Sequence, residues 1–361
     1  MASVANVQGV LAGWRSRFQG SSNYKKSLLE GLICGAVIFG LLLGWMYYRA
    51  EDTAHKLQEL IPSKTTTIDL PAELTPEPVA QDPSPIQDGL NDTKNINALL
   101  PAPIEGLTEN FEGKYLPMSR FEDELSPFDA YKKPFEVVAG RPMVSIVIVD
   151  YGISDTFSQS ILDNLPPEIS LVLNSYSAEP AKWASAARAF GHEFWLGLPM
   201  QTTEFGSDDT GPESILMNTS IAENQKRLFN VMGVAVGYVG LVSQKDHIFT
   251  NEDLDVGPIM KQIFGRGLGF AESNPDVPAY GLSMAMEFGY PYVQNNFWID
   301  EDLRPEGIDR KLQELELQAS KNGKAVAFVR PYPVAVKKVS EWIAVAPDKG
   351  IQVAPLSAMT Q

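Results

Sequence analysis

Cysteine is almost absent. Cys34 is the one thiol in 361 residues, which excludes an internal disulfide and any cysteine-built zinc site. Histidine is nearly as scarce, with only His55, His192 and His247, so a site needing several imidazoles has almost nothing to draw on. Basic residues are in deficit: 29 Lys and Arg against 45 Asp and Glu give a net charge of -16. Phosphate recognition needs a clustered basic surface, so nucleic acid is not expected as a partner. No Gly-x-Ser-x-Gly elbow is present to mark a serine hydrolase. The glycine-rich stretch Gly265-Arg266-Gly267-Leu268-Gly269 precedes a strand pattern, whereas a dinucleotide fingerprint comes after one. It reads as a helix-to-strand turn.

One long apolar run stands out, Leu28 to Tyr48. As a helix its 21 residues would span about 31 Å at about 1.5 Å each, the thickness of a bilayer core. Trp45, Tyr47 and Tyr48 sit at one end as an aromatic belt. Residues 1–27 carry Arg15, Arg17, Lys25 and Lys26 and no acid, so the positive-inside rule keeps them cytoplasmic. The expectation is a single-pass type II anchor at residues 28–48 in the inner membrane, with the rest of the chain periplasmic. A cleaved signal peptide is the competing reading; the run is longer than an ordinary signal core, and no small-x-small cleavage site comes after it.

Residues 49–135 differ in composition. Eight prolines fall between Pro62 and Pro103, and residues 51–140 hold 17 acids against 7 bases. Such a segment buries too little apolar surface to offset chain entropy, and a disordered acidic linker is expected. Its aromatic stretches 107–117 and 119–131 are candidates to dock on the domain C-terminal to them.

From residue 136 to 361 short apolar runs alternate with helical patterns. Met143 to Asp150 is a first strand, with four β-branched residues in a row from Ile146 to Val149 and closed by an acid. Ile308, Leu312, Leu315 and Ala319 mark one helix face, stopped by Gly323 before the strand 324–330. Seven to eight strands alternating with helices favour an α/β fold with a parallel sheet, either a (β/α) barrel or an open doubly wound sheet.

Several short signatures, in order, resemble the divergent polysaccharide deacetylase family: Ser145–Gly152, the run 165–200 with Gly191-His192-Glu193 and Leu198-Pro199-Met200, Gly211-Pro212-Glu213-Ser214-Ile215-Leu216, Gly237-Tyr238-Val239-Gly240, Trp298-Ile299-Asp300 and Arg330-Pro331-Tyr332-Pro333. The resemblance implies a NodB-like (β/α) barrel of about seven parallel strands. It also implies metal-assisted removal of an N-acetyl group from an amino-sugar polymer, with envelope polysaccharide or peptidoglycan as the partner. In that chemistry a divalent metal such as zinc, held by an aspartate and two histidines, activates water, and a second carboxylate and a histidine move protons.

The chain departs from that pattern at most ligand positions. Asp150 keeps the first aspartate, but Tyr151 replaces the second. Gly197, Tyr238 and Arg330 stand where imidazoles are expected. The candidates that remain for chemistry are Asp150, Glu272 and Asp300, with Tyr151, Tyr238, Trp298, Arg330 and Tyr332 as candidate sugar contacts. The alternative for the three carboxylates is helix capping or pairing with Arg330. His192 precedes its strand and is expected to be structural; His247 comes after one and is within reach of the rim, with a solvated loop position as the favoured expectation. No metal ligand set and no cofactor are assigned. The expected function is carbohydrate binding or assembly at a degenerate site; the competing one is an active N-deacetylase with a rearranged metal site.

Overall fold

The computed structural model describes residues 98–202, 210–249, 257–276 and 281–360, together with Ile33, Gly35, Ala36, Phe39 and Gly40. The chain divides into two compact units, 1–87 and 88–361. In the first, the five described residues are helical; the other residues of the expected span 28–48, and the expected linker as far as residue 97, lie outside the described residues. Among the described residues no helix is long and apolar enough to cross a membrane.

The second unit opens with a hairpin, β1 (Thr108–Phe111) and β2 (Lys114–Pro117), and a short helix α1 (Pro127–Tyr131). Composition places these residues in a disordered linker, yet Leu107, Leu116, Phe128 and Tyr131 are buried. The apolar side chains spaced through the segment give it enough to bury, which the acids and prolines mask in a composition average.

The alternating units come next as β3 (Met143–Tyr151), α2 (Asp155–Asn164), β4 (Ser170–Leu173), α3 (Pro180–Ala189), β5 (Phe194–Leu198), α4 (Ile221–Met232), β6 (Gly240–Ser243), α5 (Gly257–Gly265), β7 (Gly269–Glu272), α6 (Leu282–Phe288), β8 (Tyr292–Gln294), β9 (Phe297–Trp298), α7 (Pro305–Asn322), β10 (Lys324–Val329), α8 (Pro333–Val345) and β11 (Gln352–Val353). The strands form one parallel sheet ordered β8-β7-β6-β5-β4-β3-β10-β9, with β11 added to the start of β3. The sheet is curled, so its two ends, β8 and β9, are joined by only Asn295 and Asn296. Both asparagines stitch this junction: Asn295 Nδ2 donates to Ser273 O at 2.8 Å, and Asn296 Oδ1 accepts from Val326 N at 2.8 Å. This is an α/β fold on a curled parallel sheet, consistent with the NodB-like fold that the resemblance implies, but a half-barrel and not the closed barrel expected, since β8 and β9 do not pair.

Helix α7 shows how the elements are written. Pro305 sits in its first turn, Gly323 closes it at φ 82°, and Ile308, Leu312, Leu315 and Ala319 are buried. Each of its large side chains removed from water contributes about 1.5–3 kcal/mol. Helices α2, α4 and α1 are started by serine caps, Ser154, Ser220 and Ser126, each accepting from a first-turn backbone N–H. Two strand expectations shorten. The run 235–243 pairs only from Gly240, because Gly237 takes φ 90° and breaks the extended path. The run 351–358 pairs only at Gln352 and Val353, since Pro355 has no N–H to donate and a 3-10 turn succeeds it.

Candidate functional site

Parallel α/β sheets place their sites beyond the carboxyl ends of the strands. There a cleft of about 430 Å³ is lined by Asp150, Asn174, Tyr176, Gly197, Lys245 and Arg330, among others. Asp150 leaves β3 at a register shift between Ile148 and Tyr151. It holds φ 55°, a left-handed backbone that costs a non-glycine residue about 1–3 kcal/mol. The strain turns its exposed carboxylate to the rim, where Oδ1 accepts from Asn174 Nδ2 at 3.0 Å. Asn174 Oδ1 in turn accepts from Tyr176 N at 2.9 Å. Gly211 faces this corner with φ 90° and has the Tyr176 ring where a Cβ would stand, so only glycine fits.

The shift at Asp150 sends its neighbour the other way. Tyr151 is buried, its hydroxyl donates to Trp183 O at 3.0 Å, and its ring meets Trp183 edge-on. Burial pushes its phenol well above the usual range. The residue at the second aspartate position is therefore core and not a sugar contact.

Arg330 lies just past β10 and donates from Nε to Asp300 Oδ2 at 2.6 Å. Burial alone would lower the guanidinium, but the Asp300 hydrogen bond and charge outweigh it and hold it above its ordinary value. Asp300 is buried, and its Oδ1 meets no partner among the described residues. Pairing with Arg330 is thus the fate of this carboxylate. Tyr332 lies next to Arg330, 5.4 Å from ring centroid to guanidinium, and is 37% exposed. With Asp150, Ile153 and Phe157 it lines a hollow of about 170 Å³ adjoining the cleft.

Glu272 ends β7 but turns away from solvent. It accepts from Ser243 Oγ at 2.6 Å, Asn274 N at 2.8 Å and His247 Nε2 at 2.9 Å. His247 Nδ1 accepts from Phe249 N at 3.2 Å, which assigns the ring proton to Nε2. Both side chains are sealed from water, so neither reaches the rim. Trp298 forms cleft wall yet is 3% exposed: its Nε1 donates to Ser273 O at 3.0 Å, and Lys245 Nζ covers its ring at 4.7 Å. Its face is occupied. Tyr238 precedes β6 at the amino end of the sheet, buried, with its hydroxyl donating to Met232 O at 3.0 Å. It is not a sugar contact at the rim, because β6 starts only after it.

His192 also sits at the amino end, where Nδ1 donates to Ile169 O at 2.8 Å and burial lowers its pKa to about 4. Beside it Glu193 is a buried hub, accepting from Ser170 Oγ, Lys133 N, Trp195 Nε1 and Ser357 N at 2.9–3.2 Å.

The described residues of the cleft do not fit a divalent metal. Among the described residues no group of three or more His, Cys, Asp or Glu side chains could hold one. Around Asp150 stand an amide, a permanently charged guanidinium and a glycine. Of the eight candidates, the structure brings Asp150, Arg330 and Tyr332 together at the rim, with Asp300 buried behind Arg330. Asn174 and Tyr176 fall within the signature run 165–200, which does not single them out, and Lys245 falls in none of the signatures; their sequence signal is position, just past the ends of β4 and β6.

Residues 146–360 match the model of the divergent polysaccharide deacetylase family. None of the curated proteins matches the chain. Among solved structures, an uncharacterized protein of Agrobacterium tumefaciens C58 is similar at 27% identity and a TM-score of 0.64, covering 68% of this chain and 99% of its own. A CE4 family pseudoenzyme from Bacillus anthracis aligns at 12% identity and a TM-score of 0.38, covering 66% of this chain and 70% of its own. The catalytic domain of a peptidoglycan N-acetylglucosamine deacetylase from Eubacterium rectale ATCC 33656 aligns at 12% identity and 0.37, covering 62% and 91%. Likenesses that distant carry no argument about function. With the curled parallel sheet and a match over more than half of its length, the chain belongs to the divergent polysaccharide deacetylase family.

Proposed function

We propose that this protein binds an envelope polysaccharide, peptidoglycan included, in the cleft at the carboxyl ends of its strands, without metal-assisted deacetylation. The observation that carries the reading is the rim itself: Asp150 held out on a strained backbone, beside Asn174, Lys245 and the Asp300-buttressed Arg330. These groups offer fixed donors and acceptors to sugar hydroxyls but no metal donor set. Membrane anchoring through residues 28–48, with the second unit on the periplasmic side, is part of the proposal and rests on the apolar run and its flanking charges.

Calorimetric titration of the full chain in lipid nanodiscs with chito-oligosaccharides and soluble peptidoglycan fragments tests it. Saturable binding is expected, unchanged by chelator, and weakened about tenfold in Asn174→Ala, the loss of about 1.4 kcal/mol typical of one hydrogen bond to a charged network. Absence of binding to every such glycan would overturn the reading.

A further inference from the structure

A second cavity, of about 500 Å³, opens at the amino ends of the sheet strands, where segment 98–102 crosses α3 and the turn 233–236. Its walls are mostly apolar, with Leu99, Pro101, Ala102, Ala184, Val234 and Val236 among them. Among the described residues one charged side chain lines it, Arg188 of α3, which is 3% exposed. Arg188 Nε donates to Leu100 O at 2.6 Å, and Nη1 donates to Tyr131 O and Gly237 O at 3.1 Å each. Nη2 donates to no acceptor among the described residues, and no carboxylate among them pairs with the guanidinium. Its cation also rests on the Tyr131 ring at 5.0 Å.

Carbonyls satisfy hydrogen bonds but carry no net charge, so they leave the cation itself without a contacting anion. Buried guanidinium groups are ordinarily matched by one. Burial lowers Arg188 to about 10, against a weaker opposing pull from Tyr131 and Glu193, and leaves it protonated at neutral pH. A cavity of this volume falls in the range of small-molecule sites, and apolar walls with one fixed polar group are their usual composition.

We propose that this cavity binds an amphipathic monocarboxylate, its aliphatic chain among the alanines and valines and its carboxylate on Arg188 Nη2. The site is separate from the cleft: Arg188 and Gly237 lie before the amino ends of β5 and β6, whereas the cleft lies beyond their carboxyl ends.

The test is calorimetric titration of the full chain in lipid nanodiscs with octanoate and, separately, octanol, with empty nanodiscs as blank. One saturable site is expected, at least about tenfold tighter for octanoate. Arg188→Met is expected to abolish that preference. Because that variant also loses three carbonyl contacts, Ser185→Trp carries the decisive arm: Ser185 lines the cavity and is exposed, so the indole fills it without disturbing the core. It is expected to lose octanoate binding at unchanged thermal unfolding. Equal affinity for the two ligands, undiminished binding by Ser185→Trp, or no saturable site would each overturn the proposal.

Discussion

Asp150 pays for its position with a left-handed backbone that glycine would adopt freely. Asp150→Gly is therefore expected to raise the unfolding free energy by about 1 kcal/mol in urea denaturation while reducing glycan affinity, the exchange found where strain serves a site. His192 gives a pH signature. Unfolded, it titrates near its usual value of about 6.5; folded, burial holds it at about 4. The unfolded chain takes up the proton first, so the stability this contributes is complete above about pH 6.5 and falls as pH drops toward 4, by on the order of 3 kcal/mol. His192→Asn, whose amide reproduces the donation to Ile169 O, is expected to flatten unfolding free energy over that window. At this scale residue type is legible in the sequence and side-chain direction is not. Asp150 and Arg330 sit at the cleft as expected from their strand-end addresses. Tyr151 cannot be oriented without the register shift that precedes it, and a phenol one residue away from an exposed acid faces the core.

Buried polar side chains tie the strand ends to the loops beside them. Glu272 at the end of β7 reaches back to Ser243 at the end of β6 and to His247 in the loop after it, so one carboxylate fixes the cleft's Lys245–Asp246 corner. His247→Ala removes one of its three partners and opens a void; a cost of about 3 kcal/mol is expected, read by urea denaturation, with Lys245 displaced from Trp298. At the opposite end Glu193 ties β4, the segment before β3 and the last 3-10 turn together. Element boundaries are legible wherever period and punctuation agree, as in α7 with its stripe and Gly323. They fail where a single backbone angle decides, at Gly237, and where burial comes from scattered side chains, in residues 98–135. Phe128→Ala tests the latter: packed against Trp195, it is expected to cost about 3–4 kcal/mol, whereas a disordered linker would register nothing.

At the scale of the fold the parallel sheet is kept, while among the described residues no set of side chains could hold the metal that the resemblance implies. The address is kept, at the carboxyl ends of β3, β5, β9 and β10, but Gly197 offers no donor, Arg330 is cationic, and Asp300 is taken up by Arg330. Gly197 is not demanded by the backbone, since a Cβ there would make only ordinary contacts at 3.6 and 3.7 Å. A side chain at that position, such as the imidazole that the resemblance implies, is therefore not excluded by contact. The measurement that bears most directly on this reading is acetate release from N-acetylated chito-oligosaccharides and peptidoglycan by the full chain supplied with zinc. Release no faster than the buffer control is the expected result; turnover that Asp150→Ala abolishes would contradict it.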